Sequence, residues 1–379
     1  MADGSQVLVS SATAARASAD AGAKAQRFSI AAHGLRGLAS IMVLCAHIIG
    51  GTARHIYPGN ATYTELVEHP WYFGTYGVML FFVISGYVIL PSALRYSPKE
   101  FGLRRFFRIY PLFFAFSVVF IVLNAFSNAY PNVNDLKSIV AGLTFTNLFV
   151  GTEQLTPNAW SLSFEAVFYA LMCFIVYACV KKPRLPLAVL AIGCSLAFLI
   201  AFPISIFFIF GVAIRVYRDR LQLSTSVLRG LEMALVLGLI WAASRDHFEY
   251  TLADLANPQA VAIIVLTGSY FLLAVDPRSI TSIVMNNGVA VYLGTVSYSL
   301  YLVHPYVYFL VRAIFVKFGW FTENVAASMT LFAVLVIVPS LVASHFVHKS
   351  LERWPYQWFF RQRIYRSPEA KAAAADAPV

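Results

Sequence analysis

The sequence predicts an all-α, polytopic membrane protein of about ten transmembrane helices, with a short re-entrant or interfacial helix near residues 136–150. Three observations predict it. Of 379 residues, 59% are hydrophobic and 12% charged. Apolar runs of about 20 residues, the length that crosses a hydrocarbon core, recur along the chain. These runs are continuous, whereas a membrane barrel, the other architecture that satisfies its backbone in lipid, would show short alternating segments.

The expected spans are 30–51, 72–92, 106–126, 159–180, 185–202, 203–217, 228–244, 258–275, 288–315 and 327–348. The stretch 136–150 is apolar but short and carries Thr144, Thr146 and Asn147. Counting it as a crossing would put Lys181, Lys182 and Arg184 opposite the other basic loops, so it is expected not to cross. Residues 1–28, rich in Ala, Ser and Gly without an apolar run, are expected to be a disordered cytoplasmic tail rather than a signal peptide. Residues 29–350 form the membrane domain, and 351–379 a cytoplasmic C-terminal tail. No internal repeat is visible.

With ten crossings, most of the 28 Lys and Arg fall on one side, in the tails and in the loops near 95–108, 181–184 and 215–229. Arg54, Lys137, Arg245 and Lys317 fall on the other. The positive-inside rule then places both termini in the cytoplasm of a multi-pass inner (plasma) membrane protein. Topology and anionic lipid account for the net charge of +10, and no nucleic-acid partner is expected. The four cysteines lie in apolar runs and read as packing residues, not as disulfides or metal ligands.

Within these spans, a few polar residues stand out. Arg36 and His47 are eleven residues apart, so they share one helix face about 16 Å apart along the axis. Ionisable side chains at such depth face a cavity or a partner, and a neutral histidine is a general base near pH 7. Ser85, Gly86 and Tyr87 sit near mid-membrane in the second span, offering hydroxyls or a close helix crossing. Arg104, Arg105 and Arg108 follow on the cytoplasmic side. Guanidinium forks suit phosphates, although topology alone also places arginines there. Glu165 opens the fourth span at a height similar to His47, with Ser163 beside it. In the ninth span Tyr301 and His304 share a face, with Pro305 next in sequence. That histidine could equally satisfy a carbonyl at a kink. The remaining histidines, His33, His55, His69, His247, His345 and His348, read as solvated or interfacial.

These segments together resemble the acyltransferase 3 family of integral-membrane acyltransferases. The likeness rests on the Arg36–His47 pair, FFVISGY at 81–87, RRFFRIYP at 104–111, WSLSFE at 160–165 and SYSLYLVHP at 297–305, and covers nearly all of 30–350 in order. The chain departs from the family in carrying His33 where an acidic residue is common, and Met79 where many relatives have Asp. The resemblance implies a ten-helix domain that moves an acyl group, commonly acetyl, from cytosolic acyl-CoA to a carbohydrate or lipid-linked sugar hydroxyl at the outer face. It implies His47 as catalytic histidine, Arg36 as its partner, and Arg104, Arg105 and Arg108 as donor-binding residues. Ser85 and Tyr87 would line the donor path, Glu165 would steady His47, and Glu165, Ser163, Tyr301 and His304 would meet the acceptor. Acyl-CoA is then a co-substrate, with no tightly bound cofactor and no metal. A homo-oligomer is compatible with the sequence, as are direct transfer and an acyl-histidine intermediate. The alternative reading from another class is a proton-coupled transporter or flippase using Arg36, His47, Glu165 and His304 as a relay.

Overall fold

A computed structural model describes residues 29–156 and 158–361, which form helices and connecting turns with no strand among them. The expected tail at 1–28, and the final stretch 362–379, lie outside the described residues. The chain folds as an all-α, multi-pass membrane bundle. Seven helices are long and apolar enough to cross a membrane, and eight if one bent pair is a single span. Length and hydropathy therefore do not reproduce the count of ten, although each expected span does contain a helix. The difference lies in two places. Leu185–Ala201 and the helix that follows are bent by 118° at Pro203, and Pro258–Ala274 is only 17 residues long.

The first helix, α1 (Ile30–His55), starts at Ser29, whose side chain accepts from the Ala32 amide. Helices α2 (Ala61–Thr75) and α3 (Gly77–Arg95) meet at Tyr76 and together make one long apolar element. Helix α4 (Pro98–Ser127) begins with proline in its first turn behind the Ser97 cap, where a missing amide costs nothing. The short segment is two helices, α5 (Leu136–Leu143) and α6 (Asn147–Val150), of eight and four residues, too short to cross. Its Asp135 cap accepts from the Ser138 amide and hydroxyl, which hold the carboxyl below the usual range. Then come α7 (Trp160–Val176), ending in a π-turn at Tyr177–Lys181, and α8 (Leu185–Ala201). Helices α9 (Ile206–Tyr217), α10 (Thr225–Ala243), α11 (Pro258–Ala274) and α12 (Ile280–Met285) follow. The last elements are α13 (Gly288–Phe318), α14 (Val325–Val347), a π-turn at His348–Arg353 and α15 (Trp354–Arg361).

Two glycine crossings set the interior. A side chain at Gly37 of α1 would meet the Gly294 nitrogen of α13 at 2.6 Å and the Leu293 Cβ at 2.7 Å. Across the bundle, Gly86 of α3 touches the Phe208 carbonyl of α9, and Gly211 of α9 touches the Val83 carbonyl. Helices without a hydrophobic driving force between them associate where small residues let backbones approach. Lipid-facing helices show the converse. In α8 only Ala191 and Phe198 are buried, while Val189, Leu190, Leu196 and Ile200 are exposed. The polar residues of interest thus lie where α1, α3, α7 and α13 pack together.

Candidate active site

The Gly37–Gly294 contact holds the N-terminal half of α1 against α13, and ten residues further along both helices two histidines meet. The His47 and His304 ring centroids are 5.1 Å apart, edge to face. Each ring hangs from its own helix in the same way. His47 Nδ1 lies 2.8 Å from the Val43 carbonyl, and His304 Nδ1 lies 2.8 Å from the Leu300 carbonyl. A carbonyl only accepts, so Nδ1 carries the hydrogen in both rings and Nε2 carries the lone pair. His304 is fully buried, and its Nε2 accepts from the Asn158 amide nitrogen at 3.1 Å.

The proline after His304 explains why Asn158 is there. Pro305 has no amide hydrogen, so the Tyr301 carbonyl one turn earlier lacks its helical partner. Asn158 Nδ2 donates to that carbonyl at 3.0 Å with one hydrogen and to His304 with the other. The Tyr301 hydroxyl returns a bond of 2.9 Å to the Asn158 carbonyl and takes one from Ser161 at 2.9 Å. Asn158 and Ser161 were not singled out in the sequence. Asn158 precedes the helix in a stretch that resembles an ordinary loop, and nothing in its spacing marks it.

Arg36, Phe81, Phe82, Ser85, Ser161, Leu162, Glu165, Tyr298 and Tyr301 line a small cavity of about 20 Å³. Four residues picked from separate spans, Arg36, Ser85, Glu165 and Tyr301, therefore share one chamber. The buried Glu165 carboxylate accepts from Ser85 at 2.6 Å and from Tyr169 on its own helix. It is thus tied to hydroxyls, and its expected role of steadying His47 directly has no contact behind it. The link to the histidines runs instead through Tyr301, whose ring lies 6.3 Å from that of His304.

Below the cavity the three arginines occupy the first turns of α4. Arg105 reaches Ser92 at 3.1 Å and lies 5.7 Å from the Tyr169 ring, whose hydroxyl bonds Glu165. A chain of polar contacts thus joins the arginines to the chamber. Arg104 makes two bonds to Glu100, at 3.0 and 2.7 Å, and one to the Tyr356 hydroxyl at 2.8 Å. Arg108 lies 3.7 Å from Glu352, which is 2% exposed and also accepts from Ser299 and His348 at 2.9 Å each. Residues 348–361 continue as helix past the expected boundary at 350, so Glu352 and Tyr356 are packed residues where the sequence suggests a tail.

Two expected site residues are placed elsewhere. The Tyr87 hydroxyl accepts from Arg215 at 3.3 Å and from Arg218, away from the cavity lining. Ser163 donates to Asn147 at 2.7 Å and accepts from Gln154 at 2.9 Å, which pins the α6 segment to α7. The physical reason is helical spacing: two residues, about 200° of rotation, turn Ser163 away from Ser161 and Glu165, and Tyr87 away from Ser85. Several of the histidines expected to be solvated or interfacial make hydrogen bonds, and His69 remains exposed. His33 Nε2 lies 3.0 Å from the Val291 carbonyl of α13, His69 Nδ1 lies 2.7 Å from the Ser244 carbonyl, and His348 bonds Glu352.

A family model described as an acyltransferase domain matches residues 30–347. Among curated proteins, the chain is similar to the exopolysaccharide production protein ExoZ of Rhizobium meliloti (strain 1021), at 32% identity over 114 residues. That match covers 28% of this chain and 36% of the relative. No solved structure matches.

Proposed function

Because the chain belongs to the acyltransferase 3 family, we propose that this multi-pass membrane acyltransferase takes its acyl group, acetyl in the simplest case, from cytosolic acyl-CoA and passes it to a carbohydrate or lipid-linked sugar hydroxyl at the outer face. Similarity to an exopolysaccharide production protein supports the carbohydrate acceptor. Cytoplasmic termini and the inner membrane follow from the distribution of Lys and Arg. The observation that carries the mechanism is the orientation of His47: its Nδ1 hydrogen is committed to the Val43 carbonyl, which leaves Nε2 as the base.

In direct transfer, the acceptor hydroxyl oxygen attacks the thioester carbonyl carbon while His47 Nε2 takes the hydroxyl proton. The C–O bond forms, the C–S bond breaks, and the proton passes to the departing CoA thiolate. His304, with its lone pair engaged by Asn158, is the buried neighbour that fixes the His47 ring edge-on. Arg36, about 16 Å from His47 along α1, puts positive charge in the chamber on the donor's path. Arg104, Arg105 and Arg108 hold the CoA phosphates at the opposite end. Family membership argues against the transporter reading of the same residues.

Replacing His47 by Ala tests the mechanism: the variant reaches the membrane at the normal level and transfers no acyl group from labelled acetyl-CoA. Undiminished transfer overturns the assignment. Mass spectrometry of surface glycans with and without the intact chain tests the acceptor, and loss of an acyl mass from a polysaccharide is the expected result.

A further inference from the structure

The first turns of α4 and the C-terminal helical segment run antiparallel and pair at two positions. Arg104 and Arg108 are one turn apart, and so are Tyr356 and Glu352. Arg104 bonds the Tyr356 hydroxyl at 2.8 Å, and Arg108 lies 3.7 Å from Glu352. Beside these rungs, about one turn beyond Tyr356, Phe359 stacks on Phe107 with centroids 4.1 Å apart and planes 20° apart. The Arg104 guanidinium is also held between two rings, 4.1 Å from Tyr96 and 4.7 Å from Phe360. The opposite face of α15 is different: Trp354 and Trp358 stack on each other and are exposed.

We propose that the segment 348–361 is a built-in clamp of the donor site, and that Tyr356 is a positioning residue that aims Arg104 at the phosphates of acyl-CoA. This inference rests on the donor reading given above. Glu100 and Tyr356 engage three of the five N–H donors of the Arg104 guanidinium, fixing its plane, and the remaining hydrogens are presented to the ligand. A long side chain fixed in advance loses less freedom on binding, so its partners contribute to affinity without touching the ligand. The Phe107–Phe359 stack locks the register of the two helices.

The test uses the full chain in detergent, with acetyl-CoA binding by calorimetry and transfer kinetics measured on the same preparations. Tyr356→Ala is expected to raise Kd and KM for acetyl-CoA about tenfold, with kcat at saturation kept within about twofold. Tyr356→Phe, which keeps the ring and loses only the hydroxyl, is expected to raise them about threefold, and it carries the test if the alanine variant does not fold. In an Arg104→Ala background neither change has a further effect, because the residue being aimed is gone. Trp358→Ala, on the opposite face of the same helix, leaves Kd unchanged. Wild-type Kd and KM in both Tyr356 variants, a fall in kcat at constant KM, or effects that add to Arg104→Ala would each overturn the clamp. Failure of the unaltered chain to bind acetyl-CoA would instead remove the donor reading, and the clamp with it.

Discussion

The histidine pair and the arginine cluster are held in different ways. His47 and His304 are each bonded to a carbonyl of their own helix, and those helices are locked at a glycine contact where the backbones touch. Their placement is a backbone property. Arg104 and Arg108 are held by other side chains, one of them part of a terminal helix, and the Arg108 side chain remains 40% exposed. Their placement is a property of side-chain partners. A reacting base gains most from being fixed, since small displacements of reacting groups are costly. Charge that only binds a phosphate-bearing ligand loses affinity, rather than rate, when its partners are removed.

The sharpest way to break this contrast is to compare His47→Ala with Arg104→Ala. The first is expected to lower kcat about 10³-fold, as removal of a general base does. The second is expected to raise KM about tenfold and leave kcat within a few-fold, the signature of lost uniform binding. Equal effects on kcat would erase the distinction. Next in size is Gly37→Leu, whose side chain would strike Gly294 and Leu293. It should separate the histidines, reduce kcat, and lower the melting temperature in detergent, whereas a leucine at Gly102 of α4, with open space around it, should do neither. Asn158→Ala removes the amide shared by His304 and the Tyr301 carbonyl. It is expected to cost about 2 kcal/mol of stability, read by thermal unfolding, through buried groups left without partners. KM for acetyl-CoA should stay as in the wild type.

The smallest effect belongs to a loop pair outside the spans. Arg278 bonds Asp276 and lowers its pKa, so the pair stabilises the folded state above the unfolded carboxyl value of about 4 and the gain is lost as pH falls through the folded value. The Arg278 side chain is 46% exposed and that of Asp276 23%, so Asp276→Asn is expected to cost less than about 1 kcal/mol at pH 7 in the same melting experiment, and progressively less as pH falls below about 4.

Much of the candidate site was legible because an ionisable residue in an apolar run is conspicuous: Arg36, His47, Glu165 and His304 needed only hydropathy and a helical period to be found. What escaped followed from geometry that no linear pattern carries. Asn158 matters because of a proline 147 positions later in the chain. Glu352 and Tyr356 lie in charged, aromatic sequence that reads as a tail, and only their antiparallel match to α4 gives them roles. Ser163 and Tyr87 lie off the chamber lining although each is two residues from Glu165 or Ser85, since proximity in sequence is not a shared helix face. The span count faltered at α8, α9 and α11 because hydropathy measures lipid-like composition and is blind to a sharp turn at Pro203.

Pro305 joins distant parts of the chain by what it lacks. Any other residue at that position would donate its own amide hydrogen to the Tyr301 oxygen and close the ordinary helical turn. The incoming asparagine would then lose its berth, and the loop leading into α7 its mooring on α13. A single missing hydrogen thus works as a fastener between segments that are separated by 143 residues.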